Sequence, residues 1–300
     1  MSTPGRIVWL ASYPKSGNTW FRIFLANLAR DGSGPSDIND LDERGGVACN
    51  RHEFEEATFL DSGLIGDDDI DDMRPHVYRR AVPEAGQRWI KVHAAYTQTP
   101  SGEPLFGVPG ACAVYLVRDP RDVVVSLAFH NDTSVDDAMK TMNATDFALC
   151  RSGKGMAPQL RQVFLDWSGN VASWLDQTEI PVHLIRYEDL HADPGHHFAA
   201  ALRFTERAAS HADIQRAVRH ADFGELQRQE TERGFAERTS RTAPFFREGR
   251  VGSWRERLSD EQIARIEETH APMMLRLGYR LHARANVLSE DSQNSARPLR

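Results

Sequence analysis

Cysteine, lysine and long apolar runs are all scarce in this 300-residue chain. Its three cysteines, Cys49, Cys112 and Cys150, are an odd number at irregular spacing, which argues against a disulfide framework and a thiolate metal cluster. No apolar run approaches the ~18 residues of a membrane span, and the N-terminus lacks the basic and long apolar regions of a signal peptide. We therefore expect a cytoplasmic protein that has no metal site and does not associate with membranes.

Positive charge is also in deficit, because 36 Lys and Arg residues face 43 Asp and Glu residues, giving a net charge of −7. This balance argues against a general nucleic-acid-binding protein, so an anionic ligand must find a local positive pocket. Only four of the basic residues are lysines, at positions 15, 91, 140 and 154. A lysine that lies within a motif is therefore a candidate functional residue.

Short apolar runs alternate with segments of helical periodicity. The predicted strands are residues 7–11, 63–65, 89–92, 112–117 and 182–187. Apolar residues at helical spacing follow the first strand and form a longer stripe over 160–174. Ser259 and Gln262 stand at the positions of a capping box, which predicts a helix that runs to about residue 277. The alternation predicts an α/β fold: a single domain over residues 1–285 with a central, mainly parallel sheet flanked by helices.

Two segments read differently from this alternating pattern. Residues 31–87 carry little strand pattern and are interpreted as an insertion beside the sheet. Their acidic run, 66–72, lacks the glycine and the closing glutamate of a calcium loop, so we interpret it as a solvated face. Residues 286–300 are polar without a period, and we expect a disordered tail there.

The strongest motif is at residues 13–20, which read Tyr-Pro-Lys-Ser-Gly-Asn-Thr-Trp between a buried strand and an amphipathic helix. Successive amides from 16 to 19 can point at a phosphate, and the helix N-terminus adds its positive dipole. Gly17 lets the backbone approach closely, and Lys15 supplies a mobile charge. The segment is P-loop-like, but it is not a Walker A loop because the lysine precedes the glycine.

A second segment delivers Arg118 at the carboxyl end of a buried strand. Asp119 is the predicted N-cap of the following helix, Pro120 suits its first position, and Asp122 is expected to complete a capping-box-like start. Ser126 follows about two turns along. The third segment, 245–254, reads Phe-Phe-Arg-Glu-Gly-Arg-Val-Gly-Ser-Trp and is a loop rich in Gly and Arg before the capped helix.

These segments resemble, in the same order, three motifs of the PAPS-dependent sulfotransferase family, where PAPS is 3'-phosphoadenosine 5'-phosphosulfate. The family patterns are Tyr-Pro-Lys-Ser-Gly-Thr-x-Trp, Arg-x-Pro-[Lys/Arg]-Asp-x-x-x-Ser and Arg-Lys-Gly-x-x-Gly-x-Trp. The chain departs from them at Asn18, where the family has Thr, and at Glu248, where it has Lys. Residues 185–190 and 220–223 are weaker matches to two further family segments.

The resemblance implies PAPS as the sulfuryl donor and PAP, its desulfonated form, as a product. It implies that the Lys15 loop holds the 5'-phosphate, that Arg118 and Ser126 hold the 3'-phosphate, and that Trp20 stacks on adenine. The full set of expected cofactor-binding residues is Lys15, Ser16, Gly17, Asn18, Thr19, Trp20, Arg118, Ser126, Tyr187, Phe223, Arg247 and Gly249.

Sulfuryl transfer needs a base for the acceptor proton and cations for the leaving phosphate. Residues 88–93 form a predicted strand that ends in a Lys-x-His pattern similar to the family's own. Lys91 and His93 share a strand face, and an ordinary histidine pKa near 6.5 suits proton abstraction, so His93 is the expected general base. Lys15 is expected to stabilise the bridging oxygen. Lys91 would offset charge on the sulfonyl oxygens or orient His93.

Two other classes compete with this interpretation: a nucleotide-dependent small-molecule kinase of similar fold, and a nucleotide-binding regulator without activity. A kinase should place lysine after glycine and an acidic magnesium ligand after a strand, where Asp119 is the only candidate. The expected acceptor is a small molecule, with a phenol, an alcohol, a sugar hydroxyl or an amine all open. Residues 31–87 and 131–158 are expected to shape its site. We expect a monomer or homodimer, and the arginine bias suits a bacterial natural-product tailoring enzyme.

Overall fold

Four parallel strands form the central sheet of the computed structural model, which describes residues 4–30, 34–41, 46–150, 157–240 and 242–282. The strands in chain order are β1 (Arg6–Ser12), β2 (Gln87–Val92), β3 (Cys112–Val117), β4 (Ala148–Leu149), β5 (Gln162–Val163) and β6 (Val182–Arg186). The sheet order is β2-β1-β3-β6, and the short β4 and β5 pair separately. Because all pairings in the main sheet are parallel, the carboxyl ends of its strands meet at one edge.

Helices cover both faces of this sheet. They are α1 (Asn18–Leu28), α2 (Arg51–Thr58), α3 (Asp67–Arg80), α4 (Pro120–His130), α5 (Val135–Met142), α6 (Trp167–Leu175), α7 (Tyr187–Ala192), α8 (Pro194–Phe204), α9 (His211–His220), α10 (Phe223–Arg233), α11 (Trp254–Arg257) and α12 (Asp260–Arg276). Within the described ranges, no helix has the length and hydropathy needed to cross a bilayer.

The core divides between the two faces according to the two-residue period of the strands. In β1, Ile7 and Trp9 pack into one apolar cluster, whereas Val8 and Leu10 pack into the other. Every residue of β3 is buried. Burial on both faces explains why these strands read as continuous apolar runs and not as alternating ones. The predicted α/β fold with a parallel central sheet is therefore confirmed.

Several predicted helix boundaries are also confirmed. The Asp119 side chain accepts a hydrogen bond from the Arg121 amide, and Pro120 is the first residue of α4. The capping box of α12 is complete, because the Ser259 side chain accepts from the Gln262 amide and the Gln262 side chain accepts from the Ser259 amide. These signals are local in sequence, so they need no tertiary context.

The structure contradicts two predictions of secondary structure. Residues 63–65 form a turn between α2 and α3, with Leu64 exposed, because this short run between two glycines finds no neighbouring strand. The single helical stripe predicted over 160–174 is also wrong. The chain there forms β5 first, and α6 begins only at Trp167, where the Asp166 side chain accepts from the Gly169 amide and caps the helix.

The acidic run 66–72 is only partly a solvated face. It starts α3, where acidic side chains complement the helix dipole. Asp71 turns inward and pairs with Arg74 at 2.9 Å and with Arg161 at 2.6 Å. The described part of residues 31–87 thus contains α2 and α3, and Glu53 of α2 pairs with Arg88 of β2 at 2.9 Å. The tail predicted at 286–300 lies outside the described residues.

Candidate active site

The loop between β1 and α1 lies at the carboxyl edge of the sheet. Gly17 is the N-cap of α1 and has φ 100°, in the left-handed region that favours glycine. A Cβ at this position would lie 2.9 Å from Cδ2 of Tyr187. Lys15 also has a positive φ of 69°, so the loop turns sharply just before the helix. The first amides of α1 lack intrahelical partners and form a ready anion site.

Two side chains next to these amides are buried. The Asn18 amide group donates to the Leu10 carbonyl at 2.9 Å and to Ser12 Oγ at 3.3 Å, so it ties α1 to β1. The residue that departs from the family pattern is therefore held in place by its own amide group. Ser16 Oγ is buried and, among the described residues, has no hydrogen-bond partner. A buried hydroxyl of this kind is suited to a ligand oxygen.

The Lys15 ammonium lies 4.1 Å from the ring centroid of Phe245. Burial, and then the neighbouring cations Arg118 and Lys91, lower the pKa of Lys15 to about 7. A bound anion would reverse this effect, because it favours the charged ammonium. Thr19 follows in the first turn of α1 and is half-buried.

Arg118 leaves the carboxyl end of β3 and reaches the loop between β1 and α1. Its guanidinium donates to the carbonyl oxygens of Lys15 at 3.3 Å and Arg250 at 2.8 Å, and it lies 4.4 Å from the Tyr187 ring centroid. Arg118 Nε is buried and has no partner within the described part of the chain. Ser126 is half-buried on α4, about two turns further on.

Asp122 has a different role from the capping-box position predicted for it. Its carboxylate accepts from the Gly252 amide at 2.7 Å, from Ser253 Oγ at 3.0 Å and from the Trp254 amide at 3.0 Å. These bonds fasten the loop 245–254 to the first turn of α4. The prediction failed because the partners of Asp122 lie about 130 residues away in sequence.

Aromatic residues gather between this loop and α1. Trp20 donates from its indole nitrogen to the Ala221 carbonyl at 2.9 Å and contacts Tyr187 edge to face at 6.1 Å between ring centroids. The Tyr187 hydroxyl lies 3.4 Å from the Gly249 carbonyl. Gly249 has φ 58°, and a Cβ there would lie 2.5 Å from the Phe223 ring. The structure thus brings Trp20, Tyr187, Phe223 and Gly249 together.

Arg247 and Glu248 also belong to the loop 245–254. The Arg247 guanidinium lies 3.9 Å from the Phe129 ring centroid. Glu248 Oε1 accepts from Arg247 and, at 2.9 Å, from Arg257. Burial lowers the pKa of Arg247, and the Glu248 carboxylate opposes that effect. The acidic departure from the family pattern is therefore neutralised by two arginines.

His93 follows β2 and faces the end of β1. Its Nδ1 lies 2.9 Å from the Ser12 carbonyl oxygen, which can only accept, so we assign the proton to Nδ1 and leave Nε2 as the free base. Burial, and then the Lys91 cation, lower the pKa of His93 to about 3. This pKa is well below the ordinary value near 6.5 on which the prediction relied. The imidazole is neutral at pH 7 with Nε2 free to accept a proton, but in the free protein it is a weaker base than the sequence predicted.

Lys91 pairs with a carboxylate that the sequence did not single out. Its ammonium lies 3.2 Å from Glu237, and Arg22 contacts the other oxygen of the same carboxylate at 2.5 Å. Burial alone would raise the pKa of Glu237, but these two cations hold it at about 2. Glu237 lies in a polar loop without a motif, so nothing in the local sequence identifies it.

His130 is a second residue that the sequence did not single out. It is the last residue of α4 and lies near Lys15, Lys91 and Glu237. Its ring contacts Phe245 edge to face at 5.8 Å between centroids and lies within hydrogen-bond distance of Thr239 Oγ1. Burial, followed by the Lys15 and Lys91 cations, lowers its pKa to about 4.

A cavity of about 750 Å³ lies between α1 and β2, and Lys91 and Arg22 are among the residues that line it.

The sulfotransferase domain model matches residues 6–278 of the chain. Cytosolic sulfotransferase 17 of Arabidopsis thaliana is 25% identical to it, covering 86% of this chain and 71% of the relative. Sulfotransferase 1E1 of Homo sapiens is 24% identical, covering 82% of this chain and 76% of the relative. In both comparisons the similarity spans most of each chain.

Two solved structures share the fold. Retinol dehydratase in complex with androsterone and PAP superposes with a TM-score of 0.59 at 20% identity, covering 89% of this chain and 80% of that one. A mouse sulfotransferase complexed with PAP gives 0.56 at 18% identity, covering 96% and 89%. With the domain match over nearly the whole described chain, these findings show that the protein belongs to the sulfotransferase family, the PAPS-dependent transferases whose motifs it carries.

Proposed function

We propose that this enzyme transfers the sulfuryl group of PAPS to a hydroxyl or amine of a small-molecule acceptor, with His93 as general base. The observation that carries the proposal is the hydrogen bond from His93 Nδ1 to the Ser12 carbonyl, 2.9 Å long. This bond leaves Nε2 of His93 unprotonated. His93 follows β2, and the loop between β1 and α1 follows the neighbouring parallel strand, so both lie at the same edge of the sheet.

The side chains present fit the cofactor. Ser16 Oγ and Arg118 Nε are buried polar atoms without partners in the described ranges, and both belong to the segments assigned to phosphates. Lys15 and the amides of 16–19 would hold the 5'-phosphosulfate. Arg118, Ser126 and Arg247 would hold the 3'-phosphate, and the group Trp20, Tyr187, Phe223 and Gly249 would hold adenine. PAPS supplies the activated sulfuryl group.

The protein's own groups then divide the chemistry. His93 removes the acceptor proton at Nε2, and its Nδ1 bond to Ser12 keeps the ring oriented while it becomes charged. Lys15 stabilises negative charge on the leaving phosphate oxygen, because its ammonium belongs to the same loop as the binding amides. Lys91 offsets negative charge on the sulfonyl oxygens or orients His93. No step requires a metal ion.

The acceptor is proposed to be a small molecule that reaches His93 from the side of Lys91 and α2. Retinol dehydratase, a structural neighbour, has been solved with androsterone and with retinol, both small apolar alcohols. Its likeness to this chain fits such an acceptor. We extend the proposal to a cytoplasmic enzyme, in agreement with the curated cytosolic relatives, and to the tailoring of natural products.

A transfer assay tests the proposal directly. Purified protein is incubated with an acceptor panel of phenols, alcohols, sugars and amines, and with either PAPS or ATP as donor. Mass spectrometry then identifies the added group. We expect sulfonated product with PAPS and no phosphorylated product with ATP. Phosphorylation by ATP, or tight PAP binding with no transfer to any acceptor class, would contradict the proposed function.

A further inference from the structure

Glu237 connects three parts of the site that are far apart in sequence. It belongs to the loop that follows α10, Lys91 belongs to β2, and Arg22 belongs to α1. Its two carboxylate oxygens are divided between the two cations, at 3.2 Å from Lys91 and 2.5 Å from Arg22. The Arg22 side chain is 9% exposed and that of Lys91 16%, so solvent screens these contacts little.

We propose that Glu237 is a positioning residue, which holds Lys91 beside His93 and keeps its ammonium protonated for the transfer reaction. The inference rests on the proposed function of the site. Without Glu237, the half-buried Lys91 ammonium would lose the carboxylate that lies 3.2 Å from it and would still lie near the Arg22 cation. Lys91 would then lose its proton or move away from Arg22. Either change weakens the positive charge that Lys91 would place against the sulfonyl oxygens.

The loop itself does not depend on this ion pair. Thr239 donates to the His130 carbonyl at 2.7 Å, and Ser240 donates to Asp132 at 2.6 Å. Both bonds fasten the chain to the end of α4 within three residues of Glu237. A neutral replacement of Glu237 should therefore change the charge around Lys91 and leave the backbone in place.

The titration of Lys91 reports this charge. Burial lowers its pKa, Glu237 raises it, and Arg22 lowers it. The titratable and charged groups that face Lys91 from the packed elements are Glu237, Arg22, Cys49, His93, Lys15 and His130. Because Glu237 and Arg22 carry opposite charges, removing one should shift the Lys91 pKa in the opposite direction from removing the other.

Having only four lysines makes this measurement practical. Protein carrying lysine labelled with ¹³C at Cε is titrated by NMR, and Lys91→Arg assigns the Lys91 resonance. We expect Glu237→Gln to lower the Lys91 pKa by about 1 pH unit or more and Arg22→Gln to raise it. Asp137→Asn is the matched control, since it neutralises an exposed partner of Lys140 at 2.9 Å and should leave Lys91 unchanged.

Turnover supplies the second readout. We expect Glu237→Gln to lower kcat at saturating PAPS about tenfold, and Glu237→Asp to restore part of the loss. An unchanged Lys91 titration in Glu237→Gln, or a shift of the same sign in Arg22→Gln, would overturn the inference. The titration needs no substrate, so it decides the role of Glu237 even if the sulfotransfer assay fails.

Discussion

The two sides of this site treat their positive charges differently. On the cofactor side, Lys15 lies over Phe245, and Arg118 makes its hydrogen bonds to backbone carbonyls; its nearest described carboxylate, Asp122, is 3.9 Å away. On the acceptor side, Lys91 and Arg22 share Glu237 at hydrogen-bond distance. The proposed cofactor side is thus arranged to receive anionic charge, whereas on the proposed acceptor side Lys91 and Arg22 already contact a carboxylate.

This contrast has a chemical consequence. A phosphate entering the cofactor side relieves repulsion among cations, so its binding is favoured by the protein's own electrostatics. A neutral acceptor entering the other side could leave the contacts of Glu237 with Lys91 and Arg22 in place. The division suits a reaction in which the donor carries several negative charges and the acceptor none. Four predictions test the contrast, from the largest expected effect to the smallest.

Replacing His93, the proposed base, should have the largest effect. We expect His93→Ala to lower turnover by about 10² or more, because the group acts in proton transfer. PAP affinity should be nearly unchanged, since His93 bonds to Ser12 and not to the expected nucleotide residues. Steady-state kinetics and PAP calorimetry measure both quantities. The matched control His130→Ala should cost less than about tenfold, and retained turnover in His93→Ala would refute the assignment.

Removing either Lys15 or Arg118 from the cofactor side should weaken nucleotide binding. Lys15→Ala should reduce both affinity and turnover, whereas Arg118→Ala should reduce mainly affinity and the preference for a 3'-phosphate. Charge-assisted hydrogen bonds contribute about 1.5–3 kcal/mol each, so we expect losses of at least about tenfold in PAP binding. Calorimetric titration of each variant with PAP measures them. Equal loss of turnover in both variants at saturating PAPS would remove the distinction between the two residues.

The low pKa of Lys15 predicts that PAP binding depends on pH. The free site has a Lys15 pKa of about 7, and a bound phosphate raises it. Binding should therefore take up as much as about one proton above pH 7, and affinity should fall as the pH rises, by at most about tenfold per pH unit. Calorimetry at pH 8 in buffers of different ionisation enthalpy measures the uptake. It should disappear in Lys15→Ala; uptake that persists would place the titrating group elsewhere.

The smallest effect is expected at Glu248, the acidic departure in the loop 245–254. Its carboxylate pairs with Arg247 and Arg257, so we expect it to be turned away from the cofactor. Glu248→Lys should then change PAP affinity by less than about threefold at two salt concentrations. A large gain at low salt would mean that residue 248 faces the 3'-phosphate.

The sequence predicts the two sides of the site unequally. The cofactor side consists of contiguous motifs: residues 13–20 carry their own strand end, glycine turn and helix start, so Gly17 and Lys15 could be identified locally. Asp122 was given the wrong role, because its partners are in a distant loop. Glu237 was missed, because its pairs with Lys91 and Arg22 span 146 and 215 residues. Such contacts depend on the fold and leave no local pattern.

The two wrong predictions of secondary structure have a related cause. Residues 63–65 contain the apolar pair Leu64 and Ile65, but a strand also needs a neighbour, and the edge of β2 forms its backbone hydrogen bonds with residues 46–48 instead. The apolar spacing in 160–174 is helical throughout, yet residues 162–163 pair with Ala148 and Leu149. In both places, tertiary pairing overrides the local preference.

The most direct test of the account compares calorimetric binding of PAP to the wild-type protein with binding of its analogue that lacks the 3'-phosphate. A cofactor side built around Lys15 and Arg118 for two separate phosphates predicts that PAP binds at least about tenfold more tightly, the equivalent of one charge-assisted hydrogen bond. Equal affinity for the two nucleotides would contradict it.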